Sequence, residues 1–156
     1  MKILILRHGH AHASVNSHND FERELSERGR AEITNNFHTY SDKLPSIDLV
    51  LVSPLKRAQQ TADEFCRINK KINLTPVTLN TLQPDENPEQ LLTELQHQKL
   101  ANILLVTHQP LASSLIDLLC GTPFGFHSMA TASMACIDCE YPAKGLGSLA
   151  WIHHPV

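Results

Sequence analysis

The sequence has no concentrated block of basic residues: its 13 Lys and Arg are scattered along 156 residues against 16 Asp and Glu, for a net charge of -3. A nucleic-acid binder needs a clustered basic footprint, so nucleic acid is not an expected partner. A long apolar run is missing at the start, where Met1-Lys2 precedes only the four apolar residues Ile3 to Leu6. That is too short for the apolar region of a secretory signal or for a membrane span, so a soluble, cytoplasmic protein with no membrane partner is expected. Cysteine is sparse, and with no sign of export Cys66, Cys120, Cys136 and Cys139 read as free thiols. Cys136 and Cys139 have the two-residue gap of redox and zinc motifs, but there is one such pair and it falls in an expected strand, where the two side chains point to opposite faces. Repeats, linkers and low-complexity segments are also lacking. What is present is 42% apolar residues over the length of one ordinary domain, enough to bury a core unaided. A single domain over residues 1–156, acting as a monomer, is expected.

Three apolar runs have the length and branching of buried parallel strands: Ile3 to Leu6, Leu49 to Val52 and Ile103 to Val106. Each stops at once on polar residues. Ser53-Pro54 and Gln109-Pro110 set a proline where a first helical residue would need no N–H, which predicts helices over Pro54 to Asn69 and Pro110 to Leu119. Ser26 caps a helix that begins at Glu27, carries Ala31, Ile33 and Phe37, and ends near Asp42. Another helix fits Pro88 to Gln98, with Leu91, Leu92 and Leu95 on one face, and a strand fits Pro76 to Leu79. Thr131 to Asp138 and Ser148 to His153, parted by Pro142, Gly145 and Gly147, read as a hairpin. Strands alternating with helices predict an α/β fold: a three-layer α/β/α sandwich with a mostly parallel central sheet and an antiparallel C-terminal edge hairpin.

In such sheets ligands sit beyond the carboxyl ends of the strands, where helices begin with unpaired N–H groups. The three apolar runs deliver Arg7-His8-Gly9, Ser53-Pro54-Leu55-Lys56-Arg57 and Thr107-His108-Gln109-Pro110 to that edge. Two arginines and two histidines converge there. Arginine forks match phosphate oxygens, and helix N-termini add donors, so phosphate is the expected guest. A neutral imidazole is a credible nucleophile toward phosphorus, and Gly9 removes side-chain bulk beside His8. Taken singly, any of these residues reads as a polar group capping a helix at a strand end.

Arg7-His8-Gly9, Ser53-Pro54 with Arg57 and Thr61, and Val106-Thr107-His108 together resemble the histidine phosphatase superfamily, also called phosphoglycerate mutase-like. Arg23-Glu24-Leu25-Ser26 resembles that family's Arg-Pro-Leu-Thr segment, with Glu24 in place of the proline and Ser26 in place of the threonine. The likeness runs from Lys2 to about Leu119, and in length and spacing it is nearest to the compact phosphohistidine phosphatases of the SixA type. It implies His8 as the phosphorylated nucleophile, with Arg7, Arg57 and His108 as the other catalytic candidates. The phosphate-binding candidates are Arg7, Arg57, His108, Gln109 and Arg23. Neither metal nor cofactor is expected.

Between Arg57 and His108 the expected elements use nearly all the residues, leaving no room for the lid that relatives acting on small sugar phosphates carry. After Leu82 the chain reads Gln83-Pro84-Asp85-Glu86, where Asp85 and Glu86 are candidates for a proton-donating acid or are simply solvated loop acids. Phosphohistidine needs no such acid, because an imidazole protonated on its distal nitrogen leaves as a neutral molecule. The expected substrate is therefore phosphohistidine on a phosphotransfer domain or phosphocarrier protein, with a small-molecule phosphate ester as the alternative. Two other readings remain. His8, His10 and His12, with His18 beyond, resemble zinc-ligand spacing, though Arg7 and Arg57 then have no role. A non-catalytic phosphate-binding module on the same fold is the other.

Overall fold

A computed structural model describes residues 1–14, 19–99 and 102–156; His18 lies outside them. The chain runs β1 (Lys2–Arg7), a 3-10 turn (Asp20–Glu22), α1 (Glu27–Tyr40), a 3-10 turn (Ser41–Lys43), β2 (Leu49–Val52), α2 (Lys56–Ile68) and β3 (Val77–Thr78). A 3-10 turn (Asn80–Leu82), α3 (Pro88–Gln96), β4 (Asn102–Thr107), α4 (Leu111–Cys120), β5 (Met134–Cys139) and β6 (Gly147–His153) complete it. Among the described residues the strands form one sheet in the order β3-β2-β4-β1-β5-β6. β1, β2, β3 and β4 are mutually parallel, while β5 and β6 run antiparallel at the C-terminal end of the sheet.

Alternation along each strand divides the core in two. Leu4, Leu6, Val50, Val52, Leu104 and Val106 pack against Ile33, Phe37, Ala62 and Phe65 of α1 and α2. Their neighbours Ile3, Ile5, Leu51, Ile103 and Leu105 pack against Leu91, Leu95, Leu115 and Ile116 of α3 and α4. Successive side chains of a strand point to opposite faces, so strands covered on both sides must be apolar at every position, as these three runs are. Among the described residues no helix is long and apolar enough to cross a membrane. The four cysteines are free, and burial raises each thiol's pKa, which favours the thiol over the thiolate.

Several boundaries differ from expectation, each for a local reason. Pro54 and Pro110 stand just outside the helices. Leu55 caps α2 in an extended conformation, its N–H donating to Ser53 Oγ at 3.3 Å, and Pro110 caps α4. A missing N–H is as harmless there as at the first helical position. α1 stops at Tyr40 and tightens into the Ser41–Lys43 turn rather than running to Asp42. β3 is two residues long, and Pro76 has no N–H to extend it. β5 begins at Met134 instead of Thr131, because Ala132 adopts a left-handed φ of 55° as its N–H donates to the His8 carbonyl at 3.0 Å.

Candidate active site

β1 and β4 are in register with Arg7 opposite Thr107, and β2 lies on β4 with Val52 opposite Val106. The next residue on each strand is His8, His108 and Ser53, so three segments far apart in sequence end side by side. The His8 and His108 rings lie 4.9 Å apart between centroids. They sit in a groove of about 350 Å³ that also takes in Arg7, Arg23, Arg57, Asp85 and Gln109. Of the catalytic, phosphate-binding and acid candidates, Glu86 alone is not among the lining residues. His10 lines it too, and so do Asp20 and Thr131, to which sequence reasoning gave no role there.

The protonation of His8 follows from its partners. Its Nδ1 lies 2.7 Å from the Gly9 carbonyl, which can only accept, so the proton is on Nδ1. Its Nε2 accepts from Arg57 Nε at 3.3 Å and so carries the lone pair. Burial, reinforced by the positive charges of Arg57, Arg7 and Arg23, pushes the His8 pKa down to about 4, although the Gly9 bond acts the other way. The ring is therefore a neutral imidazole at physiological pH, with its nucleophilic nitrogen beside a guanidinium. Burial, then His8 and the two arginines, lower the His108 pKa as well. His108 Nε2 is 2.7 Å from Ser53 Oγ, and its buried Nδ1 has no partner among the described residues.

Arg7 Nη1 donates to the Met129 carbonyl at 2.7 Å, while its buried Nε is without a partner among the described residues. Buried donors left unpaired are costly, and here two residues with unpaired nitrogens line a groove rich in guanidinium. Arg23 reaches the His12 carbonyl through Nε at 2.8 Å and Asp20 Oδ1 through Nη1 at 3.1 Å. Gln109 spends its amide on α4: Oε1 accepts from Ser113 N at 3.1 Å and Nε2 donates to Ser113 Oγ at 2.6 Å. Its sequence position at the strand end is kept, but its side chain serves the first turn of a helix.

Of the described histidines in the proposed metal set, His8 and His10 share the groove and His12 leaves it. His10 Nδ1 lies 2.7 Å from Ser26 Oγ, and exposed His12 lines a separate cleft with Glu22 and Glu24. Among the described residues no three His, Cys, Asp or Glu side chains are grouped to hold a metal ion. Gly9 also has a different reason from the one its sequence suggests. A Cβ there would lie 2.8 Å from the Gly29 carbonyl oxygen, and one on Gly29 would lie 2.2 Å from the His10 oxygen. The loop after β1 and the first turn of α1 touch backbone to backbone. The serine hydroxyls beside His108 and His10 could have been noticed in the sequence, since Ser53 and Ser26 sit in the motifs; nothing in the spacing points to Asp20 or Thr131.

Comparison with known proteins identifies relatives of this chain. Over 99% of this chain and 94% of the other, the sequence is 29% identical to the phosphohistidine phosphatase SixA of Escherichia coli K12. A solved structure of the protein histidine phosphatase SixA complexed with tungstate superposes with a TM-score of 0.83 at 28% identity, covering 99% of this chain and 97% of that one. The alpha-ribazole phosphatase of Shigella flexneri has the same fold, with a TM-score of 0.75 at 23% identity over 96% of this chain and 94% of that one. Residues 3–83 match the model of the histidine phosphatase superfamily (branch 1). That segment holds Arg7, His8, Arg23 and Arg57, and the chain belongs to the histidine phosphatase superfamily.

Proposed function

We propose that this chain removes phosphoryl groups from phosphohistidine carried on another protein, through a phosphorylated His8. The observation that carries the reading is the state of the His8 ring: Nδ1–H held by the Gly9 carbonyl, and Nε2 unprotonated beside Arg57. In the first step Nε2 attacks phosphorus in line with the bond to the substrate imidazole. The new P–N bond forms as the old one breaks, and the substrate ring, already protonated on its distal nitrogen, departs neutral. Arg7 and Arg57 hold the equatorial oxygens, and His108 lies beside them. Water then attacks the phosphoryl group on His8, yielding dihydrogen phosphate and restoring the neutral ring; the phosphate afterwards gives a proton to solvent. No step calls on a metal or a cofactor.

Two features support a protein-borne substrate. The 29% identical relative bears the name phosphohistidine phosphatase. In addition, the described residues between α2 and β4 are occupied by β3, the Asn80–Leu82 turn and α3, and of these residues Pro84 and Asp85 alone line the groove. A phosphoryl group on a protein surface can enter a groove left open in this way.

Asp85 favours a second reading. An exposed carboxyl lining the groove is placed to protonate an ester oxygen, as a small-molecule phosphatase requires. The decisive comparison is kcat/KM for a phosphohistidine protein against an alkyl phosphate such as a sugar phosphate at equal pH. The phosphohistidine protein should be preferred, and Asp85→Asn should leave its turnover intact. Equal efficiency on the alkyl ester, lost in Asp85→Asn, would transfer the assignment to ester hydrolysis.

A further inference from the structure

Asp20 occupies donors that a phosphoryl group would need. Its Oδ2 accepts from Arg57 Nη2 at 3.2 Å, its Oδ1 from Arg23 Nη1 at 3.1 Å, and its backbone carbonyl from Arg57 Nη1 at 2.8 Å. The third nitrogen of Arg57, Nε, is on His8. The guanidinium that touches the His8 lone pair thus has every nitrogen engaged, two of them by one residue. The Arg57 side chain is 5% exposed and that of Asp20 57%, so a solvated anion on the groove wall is clamped to a buried cation.

Carboxylate and phosphoryl oxygens are alternative partners for the same guanidinium fork. Partial burial raises the Asp20 pKa, but Arg23 and Arg57 more than offset this and hold it below the usual carboxylate value. Asp20 is therefore an anion wherever the site works, which makes it a poor proton donor and an effective rival for the arginines.

We propose that Asp20 is a tethered carboxylate that competes with phosphoryl groups for Arg57 and Arg23 and so weakens retention of the phosphate released. The inference rests on reading the groove as the phosphoryl site. A free phosphate, or a phosphorylated small molecule, brings only its own charge and must displace Asp20 unaided. The factor by which affinity falls is the same for every ligand that must displace Asp20. A phosphoryl group on a protein can offset the cost with contacts made outside the groove, whereas the free phosphate left after hydrolysis cannot. The carboxylate also lessens inhibition by the phosphate released. When the binding-competent state is a minor fraction, apparent affinity falls by that fraction, and a half-exposed ion pair of this kind makes the effect up to about fivefold.

The experiment uses the full chain, Asp20→Asn and, as a control, Arg57→Ala. Asparagine keeps the size and the carbonyl acceptor but loses the charge. Tungstate binding is measured by calorimetry, and kcat/KM is measured for free phosphohistidine and for a phosphohistidine protein. Asp20→Asn should bind tungstate up to about fivefold more tightly, while the ratio of kcat/KM for the protein and for free phosphohistidine stays the same, because both substrates displace the same carboxylate. Unchanged or weaker tungstate binding overturns the proposal. So does a fall in kcat at unchanged anion affinity, which would make Asp20 a positioning residue for Arg57. If Arg57→Ala binds tungstate as the wild type does, the phosphoryl site itself is misplaced, a failure distinct from that of Asp20.

Discussion

At the scale of the residue, the chemistry turns on which nitrogen of His8 holds the proton and how firmly. The Gly9 carbonyl assigns the proton to Nδ1, and burial beside Arg57, Arg7 and Arg23 opposes a second one. In an NMR titration of the free protein the His8 ring should therefore protonate with a midpoint of about 4. A midpoint close to the ordinary imidazole value, about 6.5, would mean that water reaches the ring and that its lone pair is half blocked near neutrality. His8→Ala should abolish turnover and leave the far-UV circular dichroism unchanged. Retention of substantial activity by that variant would move the nucleophile elsewhere.

At the scale of the element, the site depends on how closely α1 approaches the loop after β1. Ser26 caps α1 by accepting from the Gly29 N–H at 3.1 Å, and its hydroxyl donates to the His10 carbonyl at 3.1 Å. That single oxygen joins the helix start to the strap following His8. Within a helix, Gly to Ala normally stabilises by about 0.5–1 kcal/mol. For Gly29→Ala the sign should reverse, because the added methyl would lie 2.2 Å from a backbone oxygen that cannot swing away. Denaturant melts should show a loss of about 1–3 kcal/mol, the usual cost of overpacking, together with reduced turnover as the strap is pushed from His8. A stabilised, fully active Gly29→Ala would disprove the close contact.

At the scale of the whole molecule, gathering charge-poor histidines in a buried, cationic groove makes stability depend on pH. In the folded chain His8 and His108 have pKa values well below the ordinary one, whereas in the unfolded chain they return to about 6.5. Below about pH 6.5 the unfolded state therefore binds more protons than the folded state, and stability falls as pH falls. It is fully present above that value and is lost progressively as pH descends toward the folded values. From pH 6.5 to 5 the two histidines together can remove up to about 3 kcal/mol. The Tm should drop over this interval in the wild type, and markedly less in a His8→Asn/His108→Asn variant. Equal drops in both proteins would assign the acid sensitivity to other groups.

By itself the sequence determined where the sheet lies and which residues leave it at one edge. A parallel strand covered on both faces must be apolar at each position, so Ile3 to Leu6, Leu49 to Val52 and Ile103 to Val106 declare themselves, and the polar residue after each is bound to stand at the strand end. Arg7, His8, Arg57 and His108 could be put at one place on that argument alone. The tertiary structure decided what each side chain does there. It set the His8 proton toward Gly9, turned Gln109 onto Ser113, laid Gly9 against Gly29 and brought Asp20 onto Arg57. These contacts depend on loops and on the approach of α1, where no periodicity links one residue to the next. Hydrophobic burial leaves a repeating mark in a sequence because it acts along a whole element. A hydrogen bond between two loops leaves none, since it is decided by the distance to which the rest of the fold brings them.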